Sequence, residues 1–148
     1  MHLTIATIAK QLTASFEGDA SLLIDAISID SRSLQNGPHT LFFALIVPNN
    51  DAHSYIIDLI QQGVTHFVVQ YIPEDCVGKA QFLVVQNTLT ALQELASYHR
   101  SLFHFPVIGV TGSNGKTIVK EWLNFLLCPD YSIAVSNKHR TLRTIPLV

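Results

Sequence analysis

Charge is scarce in this chain. Of 148 residues only 14% are charged, and nine Lys and Arg against eleven Asp and Glu leave a formal net charge of −2. That balance gives no electrostatic case for nucleic acid, and the seven histidines add positive charge only at lower pH. Hydrophobic residues reach 48%, which excludes disorder and suits a well-buried α/β protein. Cysteine is nearly absent: Cys76 and Cys128 stand alone without metal-type spacing, and are expected as reduced thiols of a cytoplasmic protein. His66, His99, His104 and His139 are scattered, with no paired spacing for a metal. No apolar run approaches membrane-spanning length, and the opening Met1-His2-Leu3-Thr4 lacks the pattern of a secretory signal. No local signature of a Ser-His-Asp or Cys-His arrangement is present, so no catalytic residue is assigned.

What is present is a phosphate-binding pattern. Pro106-Val107-Ile108-Gly109-Val110 reads as a buried strand, and Thr111-Gly112-Ser113-Asn114-Gly115-Lys116-Thr117 as a glycine turn. Ile118 to Leu127 follows as a helix with Val119, Leu123, Leu126 and Leu127 on an apolar face. In such an arrangement backbone N–H groups and the helix dipole hold phosphates, the lysine adds a point charge, and the threonine hydroxyl can ligate Mg²⁺. The common loop has four residues between its first glycine and Gly-Lys, and here Val110 takes that glycine's position. The pattern is therefore Gly112-x-x-Gly115-Lys116-Thr117, and the bland alternative is a helix start with a solvated lysine.

Upstream, apolar strands alternate with helices. Thr4 is expected to cap a short helix through Ile5, Ile8, Ala9 and Leu12. Strands are expected at 22–29, 41–45, 64–71 and 82–85, with a turn at Asn36-Gly37-Pro38. Helices are expected from Asp51 to Gln62, stopped by Gly63, and from an Asn87 cap to about Leu102. This alternation argues an α/β sandwich for residues 1–103, with a junction near Phe103 to Phe105. Residues 104–148 then hold the start of a nucleotide-binding domain, with a last strand near Tyr131 to Val135, too short to complete one.

Two polar clusters stand out in the first unit. Asp30-Ser31-Arg32 follows an apolar strand, and Arg32 can offer a bidentate fork to phosphate or carboxylate. On spacing alone an ordinary turn, stabilised by the Asp30 and Ser31 side chains with Arg32 solvated, is the favoured account. Asp51-Ala52-His53 opens a helix, where Asp51 is a natural N-cap and His53 is free to face water.

Taken in order, these motifs resemble the Mur ligase superfamily, the ATP-dependent amide ligases that build the peptidoglycan peptide. The series is Asp30-Ser31-Arg32, Leu41-Phe42-Phe43-Ala44-Leu45, Asp51-Ala52-His53, Gly63-Val64 and Thr111 to Thr117, covering residues 24 to 135. After the loop, Val119-Lys120-Glu121-Trp122-Leu123 looks most like the D-alanyl-D-alanine-adding branch. The resemblance implies an α/β N-terminal substrate domain of Mur-ligase type followed by the start of a P-loop ATP-binding domain. It implies ATP and Mg²⁺ as cofactors, with Gly112, Ser113, Asn114, Gly115, Lys116 and Thr117 on ATP and Thr117 on Mg²⁺. It implies Ser31, Arg32, Asp51 and His53 as contacts to the UDP end of a UDP-MurNAc-peptide, with Asp30 shaping the turn. D-alanyl-D-alanine would be the second substrate, with neither nucleic acid nor membrane as partner.

Two departures limit the carry-over. Val47-Pro48-Asn49-Asn50-Asp51-Ala52-His53 stands in place of a Gly-x-x-x-Asp-Gly-His run, so glycines allowing close backbone approach are missing. The basic stretch Asn137 to Arg143 replaces a polar segment that serves the ATP and Mg²⁺ site in relatives. The chain alone is therefore expected to lack turnover. A non-catalytic UDP-sugar-binding or interaction domain with a vestigial loop stays open as an alternative, as does another Mur branch; a small P-loop kinase or GTPase is weaker. The apolar faces of the incomplete second domain need cover, so it is expected to pack on the first domain or, by self-association, on a neighbouring chain.

Overall fold

The computed structural model describes residues 3–32, 37–135 and 144–146. The chain divides into two units, Met1–Phe103 with Leu142–Val148, and His104–Thr141.

In the first unit β1 (Leu3–Thr4) leads into α1 (Ile5–Gln11), whose Thr4 cap accepts from the Thr7 N–H at 3.2 Å. Then come β2 (Ser15–Phe16), β3 (Leu23–Ile24), β4 (Ala26–Ser28) and β5 (Thr40–Phe43). The hairpin β6 (Ile46–Val47) and β7 (Asn50–Asp51) precedes a 3₁₀ turn, Ala52–Tyr55, that runs into α2 (Ile56–Gln61). β8 (His66–Val69), β9 (Gln81–Val84) and α3 (Thr88–Ser101) complete it. Gly63, at φ +91°, ends the α2 segment, and Gly37 approaches it so closely that a Cβ there would stand 2.9 Å from the Gly63 carbonyl oxygen.

The main sheet runs β10-β4-β5-β8-β9-β2, where β10 is Thr144–Pro146. Its four central strands are parallel, and antiparallel β2 and β10 flank them. Side chains alternate across it, as strand geometry requires. Ile27, Leu41, Phe43, Val68 and Leu83 pack with Ile5 and Ile8 of α1 and Ala91 and Leu95 of α3. Phe42, Phe67, Val69 and Phe82 pack with Ile56 and Leu59 of α2. Helices cover both faces because strands buried on both sides read as the continuous apolar runs seen here. The α/β class follows as expected, with the runs at 22–29 and 51–62 each divided in two.

The second unit departs from expectation. α4 spans Lys116–Leu127, but neither Val107–Val110 nor Tyr131–Val135 forms a strand. A strand needs a neighbour for its N–H and C=O groups, and no other strand exists among the described residues of this unit. Val107 and Ile108 stand 66% and 64% exposed. Thr144–Pro146, which falls in the first unit, pairs with β4, Ile145 opposite Ile27. Pro146, lacking an N–H, is tolerated on such an edge. Asn36 and the basic run Asn137 to Arg143 lie outside the described residues.

Candidate functional site

Parallel sheets gather ligand-facing groups beyond the carboxyl ends of their strands. In the first unit, residues after β4, β5 and β8 meet that description: Asp30-Ser31-Arg32, the β6–β7 hairpin with Asp51, and Gln70-Tyr71.

Ser28 at the end of β4 is buried, and its hydroxyl donates to the Asp30 carbonyl at 3.1 Å. The Asp30 carboxylate accepts from the Arg32 backbone N–H at 3.0 Å and from its Nε and Nη2 at 3.1 and 3.2 Å. Asp30 thus shapes the turn, as expected, and also grips the Arg32 fork. The Arg32 side chain is 76% exposed, so its guanidinium is held in place yet presented to solvent. The Asp30 hydrogen bond and charge raise its pKa further, with a smaller contribution from the Tyr55 phenol. Ser31 sits part-buried in the same turn.

Asp51 caps the Ala52–Tyr55 turn, its Oδ1 accepting from the His53 N–H at 2.9 Å. His53 does not face water. It is 2% exposed, because the helix start turns it inward. The Gln70 backbone N–H donates to its Nε2 at 3.1 Å, so the ring proton lies on Nδ1, which donates to Asp51 Oδ1 at 2.6 Å. The Tyr71 hydroxyl donates to Asp51 Oδ2 at 2.6 Å, and its ring lies flat on His53, centroids 4.2 Å apart at 10°. With both nitrogens engaged, His53 is a positioning residue for Asp51 and Tyr71. Asn50 Oδ1 accepts from the Tyr55 hydroxyl at 2.9 Å. Spacing puts Tyr55 on the inner face of the 51–62 helix with Ile56, Leu59 and Ile60, but it stands 39% exposed; Tyr71 had no signal in spacing beyond its position directly after the apolar run of β8.

The second unit carries the loop. Gly112 and Gly115 have φ +141° and +76°, conformations that side chains rarely adopt. Gly115 is the N-cap of α4 and has no side chain to bond the helix start, leaving the first-turn N–H groups to a ligand. The Lys116 amine folds back onto the carbonyls of Gly112 and Ser113. Ser113, Asn114 and Lys116 are exposed, while Thr117, part-buried, sits one residue into the helix. Exposed backbone donors, a helix N-terminus and a lysine at the loop mouth fit a polyphosphate, and the Thr117 hydroxyl is the group there suited to Mg²⁺. Among the described residues no cluster of three His, Cys, Asp or Glu is placed to hold a metal, and no helix is long and apolar enough to cross a membrane.

No family model matches the chain. It is 36% identical over 121 residues to the UDP-N-acetylmuramoyl-tripeptide--D-alanyl-D-alanine ligase of Haemophilus influenzae, covering 82% of this chain and 26% of that protein. It is 35% identical over 108 residues to the UDP-N-acetylmuramoyl-L-alanyl-D-glutamate--2,6-diaminopimelate ligase of Bacteroides thetaiotaomicron, covering 72% and 22%. Among solved structures it is similar to the UDP-N-acetylmuramoylalanyl-D-glutamyl-2,6-diaminopimelate--D-alanyl-D-alanyl ligase of Acinetobacter baumannii, with TM-score 0.76, 26% identity, and 88% and 29% covered. It is also similar to MurF ligase from Thermotoga maritima in complex with ADP, with TM-score 0.63, 25% identity, and 79% and 26% covered. The chain spans about a quarter of the length of the curated relatives it matches. In sequence and in fold, the chain belongs to the Mur ligase superfamily.

Proposed function

We propose that this chain is the substrate-holding part and ATP loop of a ligase that joins D-alanyl-D-alanine to UDP-MurNAc-tripeptide. In that reaction the γ-phosphoryl group of ATP passes to the substrate carboxylate, giving an acyl phosphate and ADP. The incoming amine then attacks the acyl carbon, and phosphate leaves with the C–O bonding pair. The protein's task is positioning and charge neutralisation. Gly112 to Gly115 would wrap the phosphates, Lys116 would leave the loop carbonyls for the β/γ-phosphates, and Thr117 would hold Mg²⁺. Ser31 and Arg32 would meet the UDP end, with Asp51 acting beside them and His53 behind. The observation that carries this reading is the loop itself: a left-handed Gly115 opening an uncapped helix, with Lys116 at its mouth. The relative solved with ADP supports ATP as its ligand.

The chain by itself would bind without turning over. Titration calorimetry of this chain with UDP-MurNAc-tripeptide, and separately with Mg²⁺–ATP, tests the reading. Arg32→Ala should weaken substrate binding at least tenfold, the worth of one charge-assisted contact, and Lys116→Ala should do the same for ATP alone. Binding of neither ligand would overturn it. A second reading, a UDP-sugar-binding module with a vestigial loop, is favoured by the second unit, where α4 is the one regular element among the described residues. Substrate binding with no uptake of Mg²⁺–ATP would select it.

A further inference from the structure

The carboxyl edge of the parallel strands holds more exposed apolar surface than a solvated loop cluster needs. Ile46, Val47, Tyr55, Tyr71 and Ile72 all lie there with more than a third of their surface open. Exposed apolar groups gathered at one place mark a binding surface. Tyr71 differs from the others in being fixed. One ring face is covered by the buried His53 imidazole, and its hydroxyl is tied to Asp51, yet 48% of the residue stays exposed. The result is a flat aromatic face that cannot rotate away, so a ligand stacking on it meets little ordering cost. Arg32 follows β4 and Tyr71 follows β8, with β5 between them. The strands that they follow lie two spacings apart, about 10 Å, a span of the order that a ribose diphosphate bridges.

We propose that Tyr71 is the nucleobase platform of this edge, stacking the uracil ring on its face away from His53 while Arg32 takes the diphosphate. The inference rests on the reading of this edge as the UDP site and adds the residue that recognises the base. Aromatic stacking is strong enough per base to read in a binding curve and needs no hydrogen-bond code.

The test is calorimetric titration of the full chain with UDP and with inorganic pyrophosphate, reference and variants alike carrying Lys116→Ala so that the phosphate loop of the second unit is disarmed. Tyr71→Leu should weaken UDP roughly tenfold and leave pyrophosphate unchanged, because the fork remains. Tyr71→Phe, which keeps the ring and loses only the hydroxyl, should retain most of the UDP affinity. Arg32→Ala should weaken both ligands. UDP binding by Tyr71→Leu equal to the reference, or equal loss of both ligands, would overturn the inference and leave the UDP site standing. A reference chain that takes up neither ligand would bring down the site reading and the inference together. Where Tyr71→Leu does not fold, Tyr71→Trp in a Trp122→Phe chain decides: indole emission quenched by UDP but not by pyrophosphate supports stacking, and unquenched emission overturns it.

Discussion

At Asp51 two carboxylate oxygens receive three donors, the His53 N–H and Nδ1–H on Oδ1 and the Tyr71 hydroxyl on Oδ2. Burial pushes its pKa up, but the Tyr71 and His53 hydrogen bonds outweigh that and hold it below the ordinary carboxylate range. The same bond pushes the Tyr71 phenol up. A folded pKa below the unfolded one stabilises the fold fully above about pH 4 and less as pH falls through the folded value. Asp51→Asn should therefore cost about 1 kcal/mol at neutral pH, kept small because the side chain is 41% exposed and solvent screens it. Urea denaturation across acid pH should show the gap to wild type closing as the carboxylate protonates; a constant gap would assign the cost to packing. The Asp51 cap was legible in the sequence because capping is local. The burial of His53 was not, because its second partner, the Gln70 N–H, arrives from 17 residues away.

At the scale of elements, α3 shows what a local signal fixes. Asn87 Oδ1 accepts the Thr90 N–H at 2.9 Å, and the helix that follows covers the sheet through Ala91 and Leu95. Asn87→Ala should cost about 1 kcal/mol, lowering the melting temperature by about 4–8 °C for a unit of this size. Circular dichroism melts check it, and an unchanged midpoint would show that packing alone sets the helix start. Apart from the runs at 22–29 and 51–62, which the structure divides, helix positions and central strands were legible to within a residue or two, since caps and apolar runs lie in short windows. The strands expected at 107–110 and 131–135 failed for the complementary reason. A helix closes its hydrogen bonds within itself, so α4 forms in the second unit, whereas a strand exists only with a neighbour. The pairing of Thr144–Pro146 with β4 joins residues more than a hundred positions apart, which no local pattern carries. At the site, Gly112 to Thr117 was visible as a motif, while the Tyr71 platform needed the fold to bring three strand ends to one edge.

At the scale of the molecule, the two units differ in how far each is covered. The first holds two apolar clusters with a sheet between them. In the second, α4 has no buried residue. Ile118, Trp122, Phe125 and Leu126 recur at helical spacing on one stripe, and Trp122 and Phe125 are 68% and 77% exposed. Leu123 and Leu127 lie part-buried, so the helix is apolar around most of its girth. Helices of that kind are stable when enclosed. An unenclosed one favours a second copy of the chain, the partner present at highest concentration in any pure sample. Trp122 is the sole tryptophan and sits in the middle of the stripe, which makes it a reporter. Raising the protein concentration should move its emission to the blue as light scattering registers a larger mass. Phe125→Glu, which places a charge on the stripe, should hold the chain monomeric with emission red at every concentration. A wild-type chain that stays monomeric and red throughout would show instead that α4 remains solvated.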